Sequence, residues 1–269
     1  MLFIHAERRS RIAPLFSGMR DTLIQTCLQG HMGEAWADDL NAPTCAMLVV
    51  ANFCYVAGNC AATHARDLLC QLPPNGCDVV VEHDGWKELL LALYPNAVTI
   101  TRYAIKHEGD IFDRQQLRAA IQGLSSEYTI KRFDEALYYE AMQSDWSHDF
   151  CAHFKSAQDY LARGRGYAIL HNNRLVCGAS SYTIYDGGLE IEVDTHIDFR
   201  RRGLALVCAA ALILDCLEHG IYPSWDAANL ASVKLCQRLG YHLDREYKAY
   251  CLTDDSGTPK SDTAESETC

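Results

Sequence analysis

Three features of this 269-residue chain predict an α/β fold built in two parts. Strand-like and helix-like hydrophobic patterns alternate along most of its length, as expected of sheets covered by helices. The length exceeds that of one ordinary domain. A polar, glycine-containing stretch, His107-Glu108-Gly109-Asp110, separates two such alternating regions. The expected organisation is a smaller N-terminal α/β domain over 1–120, a second domain over 121–252 and a disordered tail over 253–269.

In order along the chain, residues 12–28 carry a helical pattern, and the β-branched and aromatic run 45–56 reads as one buried strand. A short helix over 63–72 is stopped by Pro73-Pro74-Asn75-Gly76. A strand at 78–81, a helix at 85–93 and an alternating strand at 97–105 complete this half. Residues 113–124 then look helical, followed by a strand at 128–132 and helices at 134–143 and 156–163. Strands at 166–171 and 175–185 flank Asn172-Asn173, a tight-turn pair tolerant of left-handed backbone. Asp186-Gly187-Gly188 turns the chain into a strand at 189–196. The tail 253–269 is rich in Ser, Thr, Asp and Glu without apolar periodicity, and no internal repeat of fixed period stands out.

Composition excludes several classes. Apolar residues at 49% and charged ones at 22% are ordinary for a folded protein. The net charge of −11 opposes nonspecific attraction to nucleic acid or anionic membrane and favours cationic small molecules. The apolar run 204–214 is about half the ~20 residues a membrane span needs, and the charged N-terminus does not resemble a secretion signal. Thirteen cysteines are scattered without a C-x-x-C pair, so they read mostly as small buried hydrophobes in a reducing cytoplasm. No HExxH, zinc-deaminase or phosphate-loop motif occurs, and no metal is expected.

The chemistry concentrates after the strand 189–196. Arg200-Arg201-Arg202-Gly203-Leu204-Ala205 leads from that strand into an apolar helix, placing unpaired N–H groups and dipole charge where a phosphate can sit. Gly203 and the small Ala205 permit close approach, and the arginines can pair with phosphate oxygens. Taken alone, the same arginines also read as a solvated basic turn. Downstream, Asn229 has the chemistry of an N-cap and Gly240 that of a helix-ending residue, with Leu230, Val233 and Leu239 at helical spacing between them.

These two blocks resemble the GNAT superfamily of acyl-CoA N-acyltransferases. Arg200-x-x-Gly203-x-Ala205 is similar to its Q/R-x-x-G-x-G/A signature, and 229–241 to its N-x-x-A/S-x-x-L-Y-x-x-L-G-F/Y segment. The extra N-terminal residues and Pro223-Ser224-Trp225-Asp226-Ala227-Ala228-Asn229 resemble the subgroup that includes the zwittermicin A resistance acetyltransferase. The resemblance implies a mixed, twisted C-terminal sheet flanked by helices. It implies acetyl-CoA held by Val193, Thr195, the loop 200–205, Asn229 and Ser232, with simple capping as the alternative role of Asn229. It also implies direct attack of an amine on the thioester, polarised by a strand N–H. Where the family often places a tyrosine that protonates the thiolate, this chain has Cys236.

On the strand before the loop, Glu190, Glu192, Asp194 and His196 alternate with Leu189, Ile191, Val193 and Thr195. A row of carboxylates suits a water-filled cleft or a cationic ligand, and crowding can poise one as a general base. The alternative is a solvated face of an edge strand. Tyr247 is the candidate acid, with Tyr250 a second, although both also fit as core aromatics. Trp225 and Asp226, at the end of a strand-like stretch over 221–226 that precedes Asn229, are candidate acceptor contacts.

The expected activity is acetyl transfer to the amine of a small cationic molecule, such as an antibiotic, polyamine or amino acid derivative. A CoA-binding sensor that has lost turnover is the alternative. A third reading makes the N-terminal half a dimerisation module, with a homodimer as the expected state.

Overall fold

The computed structural model describes residues 1–73, 76–81 and 83–252. The tail 253–269 and Pro74-Asn75 of the expected turn lie outside the described residues. By packing, the described residues divide into one unit of Met1–Arg102 together with 246–252, and a second of Tyr103–Arg245. Residues 103–120, expected in the N-terminal part, therefore pack with the second unit.

The first unit opens with β1 (Leu2–Phe3), two 3-10 turns (Ala6–Arg11 and Ala13–Phe16) and α1 (Thr22–Leu28). A single helix over 12–28 does not form. Pro14 starts the second 3-10 turn, and Asp21 caps a new helix by accepting the N–H of Leu23 at 2.9 Å. Next come β2 (Glu34–Ala37), β3 (Cys45–Val50) and β4 (Phe53–Gly58). The run read as one strand over 45–56 is thus a hairpin turned at Ala51-Asn52, with Ala51 at φ 53°. Continuous hydrophobicity hid the turn because both strands are buried on both faces. The unit continues with α2 (Ala65–Leu69), β5 (Cys77–Val81), α3 (Asp84–Leu93) and β6 (Val98–Ile105), the last strand running on into the second unit.

The second unit contains α4 (Arg114–Gln122), β7 (Tyr128–Arg132), α5 (Glu135–Ala141), α6 (Asp145–His148), α7 (Ala157–Arg163), β8 (Gly166–His171), β9 (Arg174–Tyr185) and β10 (Gly188–Thr195). A 3-10 turn at Ile197–Phe199 leads to α8 (Leu204–Glu218), β11 (Tyr222–Ser224), β12 (Asp226–Ala227) and α9 (Leu230–Arg238). The final strand, β13 (Leu243–Leu252), lies between β5 and β6 in the sheet order, and Tyr250, Cys251 and Leu252 pair with Val79, Asp78 and Cys77. Asn172 and Asn173 both adopt positive φ, 50° and 61°, in the β8–β9 turn.

Each unit repeats one strand plan. In the first, β1/β2, β2/β3 and β3/β4 are antiparallel and β4/β5 parallel. In the second, β7/β8, β8/β9 and β9/β10 are antiparallel and β10/β11 parallel. This repeat was invisible in the sequence because pairing order, not residue identity, recurs. The helix crossing between the parallel strands differs greatly, from five residues in α2 to fifteen in α8.

The first core centres on Trp86, Met47, Leu68 and Leu69, with the Trp86 indole donating to the Gly58 carbonyl at 2.8 Å. Cys54 and Cys77 form a disulfide between neighbouring strands of this core, an exception to the free-thiol reading. Eight of the ten free cysteines described are buried. In the second unit α8 is buried almost throughout, and its Asp215 carboxylate takes Arg165 at 2.7 Å. Asn229 caps α9 by accepting from the Ser232 N–H at 2.9 Å, so Asn229→Ala should lower stability by about 1 kcal/mol in urea denaturation.

Candidate functional site

The loop after β10 is built around an uncapped helix start. Gly203 sits at φ 80°, ψ 4° as N-cap of α8 and offers no side-chain hydrogen bond. Its carbonyl accepts from Val207 at 3.4 Å, so the amides of Leu204, Ala205 and Leu206 precede the intrahelical ladder. A fifteen-residue helix adds its dipole to those three N–H groups. Nothing lies within 4 Å of the position a Gly203 Cβ would take, so the space before the helix is open.

The three arginines have different jobs. Arg200 Nε donates to the Thr195 carbonyl at 3.0 Å and its guanidinium lies 3.5 Å from Asp194. Arg202 donates to the Tyr128 hydroxyl at 3.2 Å and to the Asp198 carbonyl at 3.0 Å, and stacks 5.0 Å above the Phe199 ring. These two brace the loop. Arg201, exposed and at φ 62°, has a guanidinium with no hydrogen bond or ion pair among the described residues, which makes it the arginine best placed to meet an anion.

β10 has two unlike faces. Thr195 and Val193 lie on the side of Cys177, to which the Thr195 hydroxyl donates at 3.3 Å, and α8 covers that side. Glu192 stands opposite Ser180 and Asp194 opposite Gly178. Ser180 donates to the Phe150 carbonyl at 2.6 Å and meets the Tyr160 hydroxyl at 2.7 Å, so the carboxylates share their face with the segment around Phe150. β11 pairs with β10 only over Gly188–Glu190, while β9 follows β10 as far as Thr195. The two parallel strands therefore part beyond Glu190, next to Glu192, Val193 and Asp194. A break in register at Glu190/Ile191, against Tyr182 of β9, marks the same point.

Glu190 is distinct from its neighbours. It is 5% exposed, whereas Glu192 and Asp194 are half-buried. Its charge reaches the phenols of Tyr185, Tyr222 and Tyr241. Burial pushes all three phenols above their ordinary pKa, with the Glu190 charge adding to the effect. The sequence does not link these three tyrosines to Glu190, since they are scattered along the chain and only the fold brings them within reach of its charge.

Trp225 is 5% exposed and its indole donates to Ser232 Oγ at 3.0 Å, so both are tied into packing. Asp226 lies half-buried on β12, paired with Ala104. Cys236 is fully buried, and desolvation pushes its thiol up to about 12. It is no acid near neutral pH. Tyr247 lies on β13, half-buried, in the first unit, and Tyr250 packs in that unit's core. Among the described residues no group of three or more His, Cys, Asp or Glu is arranged to hold a metal ion, and no helix is long and apolar enough to cross a membrane.

The GNAT acetyltransferase family model matches residues 13–250. A GCN5-related N-acetyltransferase-like protein from Streptococcus suis is 38% identical, with a TM-score of 0.86 over 92% of this chain and 99% of that one. The uncharacterized N-acetyltransferase YdfB of Bacillus subtilis is 31% identical over 125 residues, 45% of this chain and 47% of that protein, so the match spans about half of its length. A tandem GNAT protein from the clavulanic acid biosynthesis pathway shares the fold at 13% identity, with a TM-score of 0.52 over 93% of this chain and 96% of that one.

Proposed function

The chain belongs to the GNAT acetyltransferase family, and from that premise we propose that it transfers acetyl from acetyl-CoA to the amine of a small cationic molecule in the cytoplasm. The observation that carries this reading is the uncapped start of α8 at Gly203, beside the point where β10 and β11 part. The three leading amides and Arg201 would take the pyrophosphate, and Val193 and Thr195 would border the pantetheine arm. Asn229 and Ser232, already engaged in capping and in the Trp225 contact, would act on the ligand only through α9's position.

In the reaction the amine nitrogen attacks the thioester carbonyl. The C–N bond forms, the C–S bond breaks, and CoA leaves as thiolate. Glu192 and Asp194 would give the acceptor's positive charge a partner beside the point where β10 and β11 part, and a carboxylate there can take the proton the nitrogen must lose. Glu190, shut away from solvent, fits a supporting role better than direct contact. With Cys236 silent, thiolate departure relies on the ordinary acidity of a thiol, about 8.5, or on a hydroxyl other than the usual one. We also propose that Asp226 contacts the acceptor and that the first unit, whose α2 is too short to repeat the phosphate site, contributes pairing surface for a homodimer.

Titration calorimetry with acetyl-CoA, followed by thiol release across a panel of amines, tests the reading. Binding with turnover is expected. The burial of Cys236 favours a binding-only protein as the second reading, which predicts binding with no thiol released from any amine. Glu192→Gln should lower kcat/KM for a cationic amine by about tenfold, the scale of one charge-assisted contact. Unchanged kcat/KM would remove Glu192 from the acceptor site.

A further inference from the structure

The stretch from α6 to α7 lies against the carboxylate face of β10. At one end Trp146 of α6 stands 5.6 Å from the His196 ring, and at the other His153 stands 4.4 Å from the ring of Tyr182 on β9, each pair edge to face. Between these contacts the stretch is clamped. The Phe150 carbonyl accepts from Ser180, the Phe150 ring fills the space a side chain at Gly178 would need, and Phe154 packs edge-on against Tyr160 at 5.1 Å. His153 is therefore held, yet nothing in the protein satisfies its polar edge. Its Nε2 is buried with no hydrogen-bond partner among the described residues, 3.9 Å from the Asp149 carboxylate, which is too long for a hydrogen bond. The side chain as a whole keeps 18% of its surface in solvent. A clamped imidazole left without a hydrogen bond is a cost that packing alone does not explain. Its position suggests what it is for. Tyr182 is two residues from Ser180, so it shares the face of Glu192 and Asp194, and it stands at the break in register beside which β10 and β11 part. The groups around the ring are Asp149 and His148 on its own stretch, Tyr182 on β9 and the carboxylates on that face of β10. Burial holds the imidazole below its ordinary pKa, with the Asp149 charge opposing and His148 adding, so the ring is neutral near neutral pH and able to accept a proton.

We propose that His153 takes the proton from the acceptor amine as the amine attacks the thioester. The assignment rests on the acyl-transfer reading above and narrows it, since the carboxylates of β10 then hold the cation while an imidazole receives its proton. As the nitrogen lone pair forms the C–N bond, the N–H becomes acidic. The proton passes to the ring nitrogen that does not face Asp149, and the electrons of the C–S bond leave with CoA. The imidazolium so formed points its Nε2–H at the Asp149 carboxylate, so the attraction between them strengthens in the step that creates the charge. An imidazole suits this work better than a carboxylate because a base is most effective when its pKa lies near the operating pH. Asp149 acts only through the ring and is a positioning residue.

The test is the pH profile of kcat for the full chain, His153→Gln and Asp149→Asn. Thiol release is followed at saturating acetyl-CoA with the fastest of spermidine, kanamycin and lysine amide. Wild-type kcat should fall on the acid side as the ring takes up a proton, with a midpoint below the ordinary histidine value. His153→Gln should lower kcat by about 100-fold and erase that acid limb, with calorimetric affinity for acetyl-CoA unchanged. Asp149→Asn keeps the imidazole and should move the limb to lower pH, because the lost carboxylate charge was raising the pKa of the ring. A ring with only a structural role would give a lower thermal midpoint and an unmoved limb. An acid limb that survives in His153→Gln, or stays in place in Asp149→Asn, would overturn the assignment while leaving acyl transfer intact. If His153→Gln fails to fold, Asp149→Asn alone decides. A wild type that binds acetyl-CoA but releases thiol with none of the three amines would overturn both the transfer reading for these amines and the role of His153.

Discussion

Gly203→Glu should lose acetyl-CoA binding by more than about 100-fold, because a carboxylate set among the leading amides of α8 meets the pyrophosphate as a like charge costing several kcal/mol. The fold should survive. No atom lies within 4 Å of the new Cβ, so the substitution creates no clash and its cost is confined to the left-handed backbone at φ 80°. That cost is about 1–2 kcal/mol, or a fall of about 2–8 °C in thermal midpoint. Gly203→Ala separates the two effects, since it carries the same backbone strain without the charge and should keep most of the affinity. Calorimetric affinity beside a melting curve for both variants checks the pair. Retained affinity in Gly203→Glu would move the phosphate site elsewhere.

Asp215→Ala should destabilise the second unit by about 3–5 kcal/mol, the range for removing one partner of a buried ion pair. Asp215 is 7% exposed at its side chain, with Arg165 at 2.7 Å, His219 at 3.6 Å and Arg132 at 3.8 Å. Arg165 keeps only 17% of its side chain in solvent, so without the carboxylate its charge would be left largely buried. Asp215→Asn retains an acceptor for Arg165 and should fall between wild type and Asp215→Ala. Urea unfolding followed by fluorescence measures the series. A loss under about 1 kcal/mol for the alanine variant would mean that Arg165 swings out to water.

Much of the second unit could be read directly from sequence. β7 appears at 128–132 as expected, Asn172-Asn173 turns the hairpin with both residues left-handed, and Asn229 caps α9 with Gly240 following its end at φ 108°. These signals are local, carried by a residue type whose backbone preference settles the structure unaided. The first unit was harder. Its hairpin over 45–58 hid inside one apolar run, and Pro14 with Asp21 broke a helix that hydrophobic spacing alone supported. At the site, the anion-binding loop was legible because glycine and arginines sit together in the chain. What tertiary pairing assembles was not legible. The tyrosines within reach of the Glu190 charge come from three separate segments, and the contact of His153 with Tyr182 joins residues more than twenty apart in the chain. Nor could the sequence separate the jobs of the three arginines, because only geometry shows that two are occupied holding the loop.

The placement of β13 sets a timetable for the newborn chain. Apart from this strand and the end of β6, the first unit's elements lie within Met1–Arg102, but Leu252 must reach Cys77 before β5 has a partner on the edge away from β4. A ribosome adding about 5–20 residues per second needs on the order of ten seconds to deliver the intervening stretch. Through that interval the nascent unit holds a sheet with an unfilled slot beside β5, the kind of edge that invites pairing with another chain. Fragments released before residue 243 would lack the strand altogether, and the N-terminal portion expressed alone should depend on a separately supplied β13 peptide to fold.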